Sequence, residues 1–284
     1  MKRNIDIVIC TNKQLVVLKK LIKQIFTQKG NFLIKVIIIH QSNSINLFPN
    51  FLRNKNIIYK NIRKQNLSIA KNIGLKLAKS NNISFLDDDV LIKNNYFVNC
   101  IKFYKTKKCD LMFSKIIQKK SFKPLSKNMG NDDKKINFFN SSCCLSSSMW
   151  IFLKNKKKLF FDEKFGLGAK YGSGEETDFI FKYLKKDKAI YYSGKSSIYH
   201  PEEFSDQNNL SKISNKFYSY GIGQGALYKK NIDFSKRILI FLFIISLFKS
   251  FIAILVYIFF LKKNNIVKYY SLFKGKIFGY LNYK

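Results

Sequence analysis

Four consecutive β-branched residues, Val36-Ile37-Ile38-Ile39, constrain the architecture of this chain more than any other segment. A strand that is apolar at every position, rather than at every second one, is covered on both faces, which is the pattern of a parallel sheet lying between layers of helices. The residues before it complete a repeating unit. Residues 5–10 form a short apolar run interrupted by Asp6, Thr11-Asn12 breaks it, and residues 15–26 carry apolar side chains at helical spacing. Strand, helix and strand in that order imply a right-handed crossover onto a parallel sheet. Residues 56–59 read as a third strand, 68–78 as a helix and 83–86 as a fourth strand, so the expected class is α/β.

The fourth strand ends in three adjacent carboxylates, Asp87-Asp88-Asp89. Like charges so close together repel, and in a chain with 52 Lys and Arg against 17 Asp and Glu such a spot calls for a cation. Oxygen ligands at the edge of a sheet suit a hard divalent metal, and a solvated acidic turn is the plainer alternative. Ligands of open α/β sheets sit beyond the carboxyl ends of the strands. Thr11, His40-Gln41 and the three aspartates all fall there, so three loops are expected to converge on one crevice.

The net charge of +35 points first to nucleic acid or to an anionic membrane. Arg3, Arg53, Arg63 and Arg237 are the only guanidinium groups, however, and guanidinium is what reads bases and phosphates in bidentate fashion. The lysines are dispersed among many Asn and Ile, as a coding bias toward A and T would produce. The expectation is therefore no nucleic-acid partner, while a membrane surface, which needs only point charges, stays open. Cys10, Cys100, Cys109, Cys143 and Cys144 show no paired spacing and fit reduced thiols in the cytosol. The first residues lack the long apolar core and cleavage site of a signal peptide, which disfavours export.

Residues 109–158 look less regular, with a polar stretch at 118–135 that resembles a mobile loop. Gly172-Ser173-Gly174-Glu175-Glu176-Thr177-Asp178 opens a helix expected to run to about residue 186. Ser173 and Glu176 stand at the spacing of a capping box, and Asp178 suits the first helical turn through the helix dipole. Residues 190–192 and 197–199 are candidate strands, ending at His200-Pro201. Residues 238–261 are apolar except for Ser246, Lys249 and Ser250, long enough as a helix to cover roughly 36 Å. Lys249 opposes a simple lipid-exposed span, and a helix pair broken near Lys249-Ser250 lying in the interface is the competing reading. The organisation expected is a domain over residues 1–232 and a membrane-associating region over 233–284.

Five stretches, IDIVICTN, NLSIAKNIGLKLAKSNNISFLDDDV, FDEKFGLGAKYGSGEETDFIFKYLKK, IYHPE and KYYSLFKGKIFGYL, together resemble the family 2 glycosyltransferases of bacterial surface polysaccharide synthesis. The resemblance implies a GT-A nucleotide-sugar-binding fold, a mostly parallel central sheet flanked by helices, here with a C-terminal hydrophobic helical segment. It places Thr11 at the nucleotide, Lys71 and Asn72 near base and diphosphate, and Asp87, Asp88 and Asp89 on the DxD motif, with Asp87 toward the ribose and Asp89 toward the metal. His200 falls near the diphosphate or metal. Glu175-Glu176 match the catalytic pair, Glu176 being the general base, with Glu175 free to orient the acceptor and Asp178 in support. His40 stands where the family usually has an Asp contacting the nucleobase, and Glu176 where it has Asp. The implied activity is an inverting transfer assisted by Mg²⁺ or Mn²⁺, from a nucleotide sugar, UDP-linked above all, to a glycan or polyprenyl-linked acceptor. The implied place is the cytoplasmic face of the cell membrane, held peripherally or by one span. A nucleotidyltransferase would want a Gly-rich basic loop where Cys10-Thr11-Asn12-Lys13 stands, and a non-catalytic membrane-bound binding protein is the rival from outside the enzymes.

Overall fold

The computed structural model of the chain describes residues 2–43, 49–125, 129–154, 157–201 and 209–284. The chain forms two compact units, Met1–Phe161 with Lys182–Glu202, and Asp162–Phe181 with Glu203–Lys284.

The first unit holds a mixed sheet. Its strands are β1 (Arg3–Thr11), β2 (Phe32–Gln41), β3 (Ile57–Ile62), β4 (Asn82–Phe85), β5 (Leu91–Ile92), β6 (Leu111–Gln118), β7 (Lys134–Lys135), β8 (Met149–Phe152) and β9 (Ile190–His200), in the order β3-β2-β1-β4-β8-β6-β9-β5 with β7 beside β9. Helices α1 (Leu18–Phe26), α2 (Leu67–Leu77) and α3 (Tyr96–Lys107) belong to the same unit. The pairs β3-β2, β2-β1 and β1-β4 are all parallel. Val36, Ile37, Ile38 and Ile39 are wholly buried, as their uninterrupted apolarity requires. Asp6, the one acidic residue in β1, is buried because its Oδ2 accepts from Lys79 N at 2.6 Å and Ser80 N at 2.8 Å, which fixes the turn into β4. Asn66 caps α2 by accepting from Ile69 N at 3.0 Å.

The segment that looked irregular in sequence supplies two central strands. β8 runs antiparallel to β4 and to β6, and β9 runs parallel to β6. Two reversals restore the original direction, so β9 ends at the same edge of the sheet as β1 and β4. Trp150 on β8 anchors this half, donating from Nε1 to the Tyr96 hydroxyl at 3.1 Å and packing edge-on against Phe97 with ring centres 5.5 Å apart. Of the expected loop at 118–135, β7 and a bridge between Ile117 and Pro124 are ordered structure, while residues 126–128 lie outside the described residues.

The second unit contains α5 (Leu210–Asn231), α6 (Lys236–Phe259) and α7 (Lys263–Leu281), and α4 (Glu175–Leu184) begins in it. Gly221 and Gly225 on α5 face Gly275 and Gly279 on α7, the four-residue spacing that lets two helix backbones touch. A Cβ on Gly221 would overlap Leu272 O and the Gly275 Cα, and one on Gly275 would overlap Tyr218 O. α6 is one unbroken helix through Lys249 and Ser250, which goes against the competing reading of a helix pair broken there. Ser250 Oγ lies 3.2 Å from Ser246 O, satisfying its hydroxyl inside the helix, and Lys276 of α7 reaches both Ser246 O and Ser250 Oγ at 2.8 Å.

Candidate active site

In the parallel half of the sheet, register decides which loops share an edge. Thr11 is opposite His40, and Leu86 N bonds Val8 O at 3.2 Å, so the aspartates that follow Leu86 emerge beside the loop after β1. There the Thr11 hydroxyl donates to Asp88 Oδ2 and accepts from Lys13 N at 3.1 Å. Lys13 Nζ bonds Asp88 Oδ1 and Asp89 Oδ2, both at 2.7 Å. Asp88, the middle residue of the triplet, is buried and serves as the tie between the two loops. Burial lowers the tendency of the Lys13 ammonium to stay charged, but its hydrogen bonds to the two carboxylates outweigh this and raise its pKa.

His200 closes the cluster from the end of β9. Its Nδ1 contacts Pro201 O at 2.7 Å; a carbonyl only accepts, so Nδ1 carries the proton. Nε2 then turns toward Asp89 Oδ1 at 3.5 Å and Asp87 Oδ2 at 3.8 Å. Asp89 Oδ1 is buried without a hydrogen-bond partner. An imidazole nitrogen and carboxylate oxygens that converge at these distances suit a divalent cation, and Asp89 and His200 would hold it. Among the described residues there is no group of three or more His, Cys, Asp or Glu that could by itself hold a metal ion. Glu202, the last residue of IYHPE, lies outside the described residues.

His40 is buried, with Nδ1 2.9 Å from the Tyr59 hydroxyl and Nε2 without a partner. Burial lowers its pKa and the Lys13 backbone partly offsets that. Asn72 is occupied in shaping the chain: its Oδ1 accepts from Phe161 N at 2.8 Å and its Nδ2 donates to Phe161 O at 3.1 Å. Lys71, next to it on α2, lies with Nζ 5.2 Å from the Phe161 ring centre. Burial pushes the Cys10 thiol up to about 12, with Lys71 opposing and Asp87 and Asp88 adding to the effect. Thr11, Asp87, Asp88, Asp89 and His200 thus come together directly. Lys13 and Tyr59 are the two participants that sequence reasoning missed; only their positions, after β1 and on the strand beside His40, signal them.

In the second unit, Gly174 O accepts from Asp178 N at 2.9 Å, so Gly174, at φ +92°, takes the capping position of α4. The capping box needs Ser173 in that position, and the Ser173 hydroxyl donates instead to Tyr220 O at 2.9 Å. Glu176 is therefore the second helical residue, half-buried, and Glu175 is buried. Asp178 is wholly buried and bonds Lys230 Nζ at 2.6 Å, which also bonds Asp162 Oδ2 at 2.6 Å. Burial opposes charge on Lys230, and Asp178 and Asp162 more than restore it, leaving its pKa raised.

The family model for glycosyl transferase family 2 matches residues 6–160, more than half of the chain. The chain belongs to that family and is a glycosyltransferase. Solved structures of the GT-A fold agree. Residues 1–349 of S. aureus TarS match with TM-score 0.57 and 15% identity over 84% of this chain and 73% of that one. The same protein in complex with UDP-GlcNAc matches at 0.56 and 15% over 84% and 74%, and in complex with UDP at 0.55 and 15% over 84% and 73%. At this identity the likeness is one of fold. No curated protein sequence matches significantly.

Proposed function

We propose that the chain transfers a sugar from a nucleotide sugar, with UDP as the carrier, to a glycan or polyprenyl-linked acceptor in the synthesis of a surface polysaccharide, with inversion at the anomeric carbon. The observation that carries this reading is the Thr11-Asp88 tie, which sets the first loop, the three aspartates and His200 around one point at the carboxyl edge of the sheet. Mg²⁺ or Mn²⁺ held by Asp89 and His200, with Asp87 toward the ribose, would neutralise charge on the departing diphosphate. Thr11 and Asp88 hold the two loops in place, Lys71 contributes positive charge near the diphosphate, and His40 presents Nε2 to the base. Asn72 braces the segment at Phe161.

Glu176 is assigned the acceptor proton, since a carboxylate at about 3 Å can accept it as the hydroxyl attacks. Glu175 orients the acceptor, and Asp178 supports α4 through Lys230. The exposed face of α6, with mean hydropathy 2.8 over a candidate span of 24 residues, associates with the cytoplasmic membrane surface, where a lipid-linked acceptor would be found. Thermal denaturation with a panel of nucleotide sugars and Mn²⁺ tests the donor, because a ligand of the native state alone raises stability. A UDP-sugar should raise the melting temperature and release UDP when acceptor is added. No stabilisation by any nucleotide sugar defeats the proposal.

A further inference from the structure

We infer that Lys13 is a tethered cation that occupies the carboxylate site of the free enzyme and yields it when nucleotide and metal arrive together. The inference rests on the reading of Asp89 as a metal ligand. Three carboxylates in a row need a counter-charge at all times, yet a divalent ion bound in the absence of nucleotide has only one or two protein ligands. Lys13 supplies that charge through bonds of 2.7 Å to both Asp88 and Asp89. Its side chain is 46% exposed on a flexible four-carbon stem, so it can swing away without disturbing the core. Arriving diphosphate offers the displaced ammonium a new anionic partner, and the freed Asp89 oxygen adds to the one already facing His200. Asp88 keeps its bond from Thr11 throughout, so the loops stay joined while the cation changes. Metal and nucleotide should consequently bind with strong mutual dependence.

The test is titration of Mn²⁺ into the full-length protein, followed by the electron paramagnetic resonance signal of free Mn²⁺, with and without UDP. Lys13→Met should bind Mn²⁺ alone about tenfold more tightly than wild type, the scale expected when two partly exposed ion pairs no longer compete. Lys13→Arg, which keeps the charge, should stay close to wild type. The gain in Mn²⁺ affinity on adding UDP should shrink in Lys13→Met. Circular dichroism melting checks that each variant folds, and Lys13→Gln serves if the methionine variant does not. Equal or weaker Mn²⁺ binding by the neutral variants overturns the role of Lys13 while leaving the metal reading intact. Absence of Mn²⁺ binding by wild type and variants even with UDP overturns both.

Discussion

His40 Nδ1 and the Tyr59 hydroxyl lie 2.9 Å apart on neighbouring parallel strands, in a place where the imidazole is almost completely excluded from water. Burial disfavours the imidazolium, so the folded pKa lies below the unfolded value of 6.5 and the native chain binds fewer protons between the two. Stability from this group is fully present above pH 6.5 and is lost as pH falls through the folded value. Urea denaturation at pH 7, 6 and 5 should show a falling midpoint, and His40→Gln should flatten that fall. An identical slope in both proteins would show that His40 is not the titrating group.

The triplet predicts different outcomes for neighbouring aspartates. Asp89→Asn removes an anionic ligand but leaves the Thr11-Asp88 tie, so UDP binding should keep its metal-independent part and lose its response to Mn²⁺, by a factor on the order of ten to a hundred. Asp88→Ala frees both Thr11 and Lys13 and should lower UDP affinity with and without Mn²⁺. Calorimetric titration with UDP separates the two. Equal UDP affinity in Asp89→Asn and wild type at saturating Mn²⁺ counts against a metal at this position.

At the start of α4, three acids divide between chemistry and structure. Glu176→Gln should preserve fold and donor affinity and lose about 10² to 10⁴ in turnover if the residue is the base. Asp178→Ala should instead destabilise by about 3 kcal/mol, because Lys230 then sits 18% exposed with Asp162 as its remaining close carboxylate. Thermal melts alongside single-turnover rates distinguish them. Near-native turnover in Glu176→Gln would remove it from the base role.

How far these features could be read in advance follows from which forces declare themselves locally. The parallel half was legible because strands buried on both faces are apolar throughout, and Asp87-Asp88-Asp89 stood out as a charge anomaly at the end of one. β6 and β8 were not, since Ser114 and Lys115 interrupt the first and the four residues of the second follow a serine-rich stretch. The two candidate strands at 190–192 and 197–199 are one strand, continuous across a register shift where Ser193 and Ser197 pair with Ser114 and Lys115. α5 was hidden for a different reason. Gly221, Gly223 and Gly225 argue against a helix by propensity, and only close packing on Gly275 and Gly279 of α7 overrides that. Lys13 and Lys230 were equally silent, because a lysine's ion-pair partners distant in sequence leave no local pattern.

The same α5-α7 packing decides how the membrane reading should be tested. Ending the chain near Asp233 would strip α5 of α7 and expose its glycine face, so loss of function there would report misfolding rather than lost membrane contact. Point changes on the outer face of α6 avoid this. Phe248 and Leu255 are 61% and 51% exposed and lie two helical turns apart, whereas Leu239, Phe243 and Ser250 are the buried residues of the helix. Replacing Phe248 and Leu255 with Ser should leave the melting temperature of the catalytic unit unchanged. If each side chain contributes about 2 kcal/mol on entering the headgroup boundary, the pair should weaken sedimentation with anionic vesicles by on the order of a hundredfold or more. High salt should release the wild type only in part, since it screens Lys236, Arg237, Lys262 and Lys263 but leaves apolar burial in place. A wild-type chain that stays monomeric and soluble without lipid or detergent, and fails to sediment with vesicles, would mean that the apolar face of α6 has another use.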